Sequence, residues 1–449
     1  MKSFWGNLKK RIQKSDLLSL TLLGAGFAFI IQTLGVALKY IAQVLLARWL
    51  GPTEYGIYSY IFTWANVIAT FATLGLTIGI IKFIPEYVVH KKWCFLKGII
   101  SQARLLVFGS GIALGAGSYF ALLYTQSGKV GSHELLLGMS LVPLLALTNI
   151  QAEMLRSLKH IITAYAPPLV LQQVILIGLA YNLKKYFRML TSKNALMISL
   201  TTSTLIIVIQ HLILHTKLPP KIKSVKPCYE THKWLRTSLP LLVTITSSAV
   251  LNQADIVMLG LLIGPKEAGV YTAATKTATL VSFLLAATNK IIAPTISELY
   301  TQKRYSHLAN LIRSINRLIF WPTLATVIIL VLGGPFLLKL FGEEFTIAYY
   351  PLIILAMGQL INAVVGPVGY LISLTGYQNI SALVLGFSAL LNIILNAILI
   401  PYFGLIGAAI ATASSIIFWN IALYLAVKRL LNMDTFAFNF LNSKRNRNR

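Results

Sequence analysis

The chain has 449 residues, of which 56% are hydrophobic and 11% charged, and it carries a net charge of +27. A soluble domain carries about a quarter charged residues, so a soluble enzyme is excluded. The basic excess lies in short segments between apolar runs, where it orients helices and meets anionic lipid heads, and it does not point to nucleic acid. Runs of about 20 apolar residues recur from end to end, each long enough to cross roughly 30 Å of hydrocarbon as a helix. No barrel-like alternation is visible. Together with the spans and the internal repeat, the composition predicts an all-α polytopic membrane protein with about twelve transmembrane helices in two pseudo-symmetric six-helix lobes.

In chain order, residues 1–16 form a basic lead-in with Lys2, Lys9, Lys10, Arg11 and Lys14. This flank runs into an apolar segment too long for a cleavable signal. The N-lobe covers 17–216, with predicted spans 17–46, 57–83, 105–124, 135–155, 161–181 and 195–214. Pro85 is expected to end the second span, and Pro167-Pro168 to kink the fifth. A basic linker, 217–238, is expected to be partly extended and then amphipathic along the membrane surface. The C-lobe covers 239–427, with spans 239–263, 269–294, 318–338, 351–374, 380–400 and 405–426. A basic tail, 428–449, follows.

The charge count supports two cytoplasmic termini, and the expected location is the cell (inner) membrane. Twenty-nine of the 39 Lys and Arg fall on the cytoplasmic side of this scheme and 8 on the outer side, with Lys39 and Lys276 left inside spans. One outer loop disagrees, with Lys184, Lys185, Arg188 and Lys193. Either it holds a functional basic patch or the fifth and sixth spans are misplaced. The two cysteines, Cys94 and Cys228, fall in cytoplasmic segments and suggest neither a disulfide framework nor a metal site.

A short polar hinge, Gly51-Pro52-Thr53-Glu54-Tyr55-Gly56, follows the first span. It returns as Gly264-Pro265-Lys266-Glu267-Ala268-Gly269 after the seventh, at an offset of 213. The halves are therefore parallel repeats, and repeat interfaces are where such transporters bind cargo. Gly51, Pro52, Gly56, Gly264, Pro265 and Gly269 are read as hinge residues. Glu54 and Glu267 are read as anchors that cap the following helices.

Polar residues inside spans mark candidate sites. Ser59, Thr63, Asn66, Thr70, Thr73 and Thr77 share one helical face of the second span. At the repeat offset Thr63, Asn66 and Thr77 match Lys276, Thr279 and Lys290, and Lys39 matches Asn252. Gln43 shares a face with Lys39. Asp255 is the carboxylate deepest in a span, and Lys276 is its candidate partner. Together they suggest one polar cavity between spans 1, 2, 7 and 8, lined by Lys39, Gln43, Thr63, Asn66, Asn252, Lys276, Thr279 and Lys290. Blander readings stand beside this one: hydroxyl stripes also serve helix packing, Lys39 could snorkel to the surface, and Asp255 and Lys276 could merely neutralise each other. His211 and His215 lack a third ligand, so no metal is expected. No phosphate-cradling Gly-Lys-Ser/Thr loop is present. No catalytic residues or cofactor are predicted, and the expectation is a transporter, not an enzyme.

Several motifs carry a resemblance. The stretch 47–58, Asn252-Gln253-Ala254-Asp255, Leu340-Phe341-Gly342-Glu343-Glu344-Phe345, and Leu391-Asn392-Ile393-Ile394-Leu395-Asn396 with Gly404, Gly407 and Ala411-Thr412 occur in order. Together they resemble the polysaccharide-transport (O-antigen, lipid-linked oligosaccharide) flippases of the multidrug/oligosaccharidyl-lipid/polysaccharide exporter superfamily. The resemblance implies two six-helix lobes, alternating access, and a polyprenyl-pyrophosphate-linked oligosaccharide as substrate for lipopolysaccharide or other surface polysaccharide. It also implies anionic lipids, a glycan polymerase and chain-length machinery as partners. A cationic cavity suits a pyrophosphate. An ion-coupled multidrug or small-molecule antiporter, using Asp255 to exchange a proton or Na⁺, is the alternative. A non-transporting scaffold for glycan synthesis is a third reading.

Overall fold

The computed structural model describes residues 2–125, 130–186, 190–222, 224–433 and 435, apart from the side chains of residues 2–28, 290, 291 and 294. Every regular element among the described residues is helical, as a lipid environment requires of an open chain. Ten described segments are long and apolar enough to cross a membrane. Two of these reverse direction at a glycine, so the described residues make twelve passes of membrane-spanning character.

The first reversing helix is α1 (Lys2–Ala72), which bends at Gly51 with φ 74° and ψ 170°, a region open essentially to glycine. Tyr55 Oη donates to Gln43 Oε1 at 2.9 Å across the bend. Twelve residues of straight helix would hold them about 18 Å apart. The second reversal lies near the C-terminus, at Gly404 (φ 56°) in α13 (Gln378–Leu430).

The second span departs from expectation. It breaks at residues 73–75, where Leu74 and Gly75 have positive φ, and resumes as α2 (Leu76–Val89). There Gly75 and Gly79 pass tightly against Ser238 of the second half. Helix α2 runs through Pro85 instead of ending there. Burial of Ile84 and Tyr87, at about 1.5–3 kcal/mol for a large apolar side chain, offsets the roughly 3 kcal/mol cost of an internal proline.

The rest of the first half is α3 (Trp93–Thr125), α4 (Ser132–Ser157), α5 (Ile161–Ala166), a π-helical turn at Pro167–Leu171, α6 (Gln172–Tyr186) and α7 (Ser192–Lys217). The double proline thus produces a π turn. Helix α3 starts well before the predicted span, so Lys97 and Arg104 are helical and not in a loop. Lys184 and Lys185 end α6 and Lys193 begins α7, so the fifth and sixth spans lie where the sequence puts them. The Lys184 ammonium sits 5.3 Å from the Trp49 ring centre, beside the first hinge. Arg188 lies outside the described residues.

The linker is irregular apart from a 3-10 turn at Pro220–Ile222. Thr231–Arg236, expected to lie along the surface, instead form the first turns of α8 (Thr231–Leu262). The reason is Trp234, fully buried, whose Nε1 donates to Tyr87 Oη at 2.9 Å. Then come α9 (Pro265–Thr301) and α10 (Tyr305–Lys339). The tenth span is also broken, into α11 (Tyr349–Val365) and α12 (Val368–Leu374), at Gly366-Pro367. Buried Asn316 of α10 donates to the Val365 carbonyl there, satisfying backbone that the break exposes, and also to the Thr435 carbonyl. Tail residues 436–449 lie outside the described residues.

Candidate functional site between the halves

The two hinges meet. A Cβ on Gly56 would lie 2.2 Å from the Pro265 carbonyl oxygen, and one on Gly269 would lie 2.4 Å from Gly56 Cα. Only glycine permits this approach. Aromatic rings close the same face. Tyr55 packs edge-on against Phe345 with centroids 5.8 Å apart, and Tyr40 against Phe341 at 5.6 Å. Each such pair contributes about 0.5–1.5 kcal/mol beyond area burial. The hinge face is thus sealed by contacts between the halves.

Glu54 caps a helix other than the one after its hinge. Its Oε2 accepts from Ser192 N at 2.6 Å, which sets a carboxylate on the positive end of α7. Glu267 lies in the first turn of α9, near its positive end, without a capping hydrogen bond among the described residues.

Below this seal, Tyr40 Oη and Thr277 Oγ1 are hydrogen-bonded at 3.3 Å. Lys39 and Lys276 are the residues immediately before these partners, so the two lysines flank one contact between α1 and α9. They lie within electrostatic range of each other. Lys39 is exposed to solvent. Thr279 is exposed on α9, one helical turn from Lys276, and Asn252 is exposed on α8 with its amide donating to Ser248 O at 2.6 Å. The Lys290 side chain lies outside the described residues.

Other predicted residues go elsewhere. Gln43 is buried and engaged by Tyr55. Thr63 is buried, and Asn66 donates to Phe62 O at 2.8 Å within its own helix. The helix is interrupted at residues 73–75, yet Thr77 stays with Thr70 and Thr73 on one cavity wall. The lower stripe opens instead on a cavity of about 320 Å³, lined by Thr70, Thr73, Thr77, Glu153 and Tyr165 of the first half and closed by Ile245 of the second. Arg156 braces its rim, 3.0 Å from Glu153 Oε2 and donating to Tyr165 Oη at 2.9 Å.

Asp255 does not ion-pair with Lys276. It is 2% exposed, and its partners are hydrogen-bond donors inside the second half. Ile256 N donates to Oδ1 at 2.8 Å, while Tyr271 Oη and Thr412 Oγ1 donate to Oδ2 at 2.9 and 3.1 Å. Asn392 Nδ2 reaches Thr412 Oγ1 at 3.4 Å, and Asn396 Nδ2 reaches Asn392 Oδ1 at 3.1 Å. Neutral donors compensate a buried carboxylate here. Asn396 Oδ1 is buried and accepts no hydrogen bond. Tyr271 is the repeat counterpart of Tyr58, whose hydroxyl is hydrogen-bonded to Ser199 at 3.2 Å. The repeat therefore extends to paired tyrosines, and the carboxylate distinguishes the second half. Asn392, Asn396 and Thr412 are missing from the sequence-based site although all three lie in the quoted motifs.

Twelve passes among the described residues, broken second and tenth spans, and polar groups collected between and within two repeated halves define a polytopic membrane protein. The fold matches an inward-facing multidrug resistance MATE family transporter of the MOP superfamily, with TM-score 0.71 and 15% identity over 91% of this chain and 98% of that one. It also matches the lipid II flippase MurJ in an inward closed conformation, with TM-score 0.66 and 17% identity over 91% and 87% of the two chains. The chain belongs to the polysaccharide biosynthesis protein family, whose pattern covers residues 22–300; the MatE pattern covers 240–398. Among curated relatives, the probable low-salt glycan biosynthesis flippase Agl15 of Haloferax volcanii is 31% identical over 167 residues. That match spans 36% of this chain and about a third, 34%, of the relative.

Proposed function

We propose that the chain is a transporter that flips a polyprenyl-pyrophosphate-linked oligosaccharide across the cell membrane by alternating access, with both termini cytoplasmic and lobes at 17–216 and 239–427. The observation that carries this reading is the placement of Lys39 and Lys276 on facing helices at one contact between the halves. Two cations there complement a pyrophosphate, and the closed hinge face gives the cycle a gate to open. Family membership and the named flippase relative support the glycan substrate. Asp255, held by Tyr271 and Thr412, is the residue assigned to coupling by proton or Na⁺ exchange. Anionic lipids, a glycan polymerase and chain-length machinery are its partners on this account.

The experiment is export of surface glycan in cells carrying Lys39→Ala/Lys276→Ala. Loss of export with normal protein in the membrane is expected. Normal export would sink the cationic-cavity claim. Unchanged surface glycan in a deletion strain, together with drug sensitivity, would favour the small-molecule antiporter.

A further inference from the structure

Cys94 and Cys228 are the two cysteines of the chain, far apart in sequence. The fold sets them side by side. Cys228 N donates to the Cys94 carbonyl at 3.0 Å, joining the first turn of α3 to the linker just before α8. Their thiols are also close enough to hydrogen-bond, the proximity that a disulfide requires. Both cysteines are reduced and half-exposed. The Cys94 thiol, hydrogen-bonding that of Cys228, pushes it above the ordinary thiol range.

The register of this contact is fixed on both sides. Lys97 Nζ donates to Val225 O at 2.8 Å. Tyr87 Oη donates to Glu230 Oε2 at 3.0 Å and accepts from buried Trp234. The linker also lies directly on α3, because Gly98 has no side chain: a Cβ there would meet the Cys228 carbonyl oxygen at 1.8 Å. The two thiols are therefore held together and remain open to reagent.

We propose that Cys94 and Cys228 form an oxidisable dithiol, a modification site at which exchange with a small disulfide fastens the linker covalently to α3. The Cys94 thiolate attacks one sulfur of a glutathione-type disulfide and releases one small thiol. The Cys228 thiolate then attacks the Cys94 sulfur of the mixed disulfide and releases the second. Two protein thiols are oxidised, and one small disulfide is reduced to two thiols, which take up the two protons. The bond ties the segment leading into α8, the first helix of the second half, to the body of the first.

The test treats the full chain in its membrane with oxidised glutathione and reads peptide masses. The expected product has lost two hydrogens between Cys94 and Cys228, carries no glutathione, stays monomeric and reverts with dithiothreitol. Cys94→Ser should instead keep one glutathione on Cys228. Wild-type protein carrying glutathione on both cysteines, or cross-linked between chains, would overturn the proposal. Gly98→Ala should slow internal closure at least fivefold, and an unchanged rate would refute the seating argument.

Discussion

Replacing Gly56 with alanine places a methyl group against the backbone of the opposite hinge. The new Cβ would lie 2.2 Å from Pro265 O, 2.7 Å from its carbonyl carbon and 2.9 Å from Lys266 Cα. Ordinary contact between carbon atoms begins at about 3.5 Å, so one helix must retreat by about 1 Å. None of the three atoms is a flexible tip, and overpacking of this kind costs about 1–3 kcal/mol. In the proposed cycle that cost falls on the state with the hinge face closed and not on the open one. The closed-to-open ratio should therefore fall about 5- to 150-fold. The assay starts from a Cys94→Ser/Cys228→Ser background carrying Thr279→Cys on exposed Thr279, and follows labelling by an impermeant maleimide applied from the hinge face. Gly56→Ala should raise the labelling rate at least about fivefold. An unchanged rate in a protein that accumulates and melts normally would refute the argument that this contact is a gate.

Three further outcomes are expected. Gly51→Ala should lower detergent thermal stability by about 1–3 kcal/mol, because Gly51 holds φ 74°; Gly264→Ala should be nearly neutral, because Gly264 has an extended φ of 168° and its near neighbour is a movable Glu267 oxygen. Asp255→Asn should fold and bind substrate but lose dependence of transport on the ion gradient, whereas Asp255→Ala should also cost about 1–3 kcal/mol by stranding Tyr271 and Thr412, as a melting curve would read. The hydrogen bond from Lys233, aided by that from Tyr87, holds Glu230 below its ordinary 4.5; its contribution is therefore present above that value and lost as pH falls through the lowered one, so Trp234 fluorescence should report the linker loosening only under such acid conditions, and Glu230→Gln should abolish the transition.

The repeat was legible because Gly, Pro, Glu and Tyr recur at a fixed offset, and those residue types constrain backbone locally. Spacing also gave the crossings and the reversals after the first and eleventh spans. The break at Gly366-Pro367 carried its signal openly, as a Gly-Pro pair inside an apolar run. The break at residues 73–75 did not, since a lone glycine in a span is common; its cause is the close passage of Ser238, far away in sequence. Asp255 was recognised as exceptional, but its nearest opposite charge in the sequence pattern is not its partner. The donors that hold it are Tyr271 and Thr412, and Thr412 arrives from the last span. Cys94 and Cys228 looked idle for the same reason, because their proximity depends on how the linker lies over α3.

The most direct measurement of the central claim is flipping by the purified full chain in liposomes. The vesicles contain a fluorescent polyprenyl-pyrophosphate-linked oligosaccharide, and an impermeant lectin or glycosidase reports the leaflet that holds the sugar. The account predicts sugar transfer that depends on the protein, falls to the protein-free rate in Lys39→Ala/Lys276→Ala, and rises or falls with the ion gradient in wild type but not in Asp255→Asn. Equal transfer by wild-type and doubly substituted protein, or no transfer above protein-free vesicles, would contradict it.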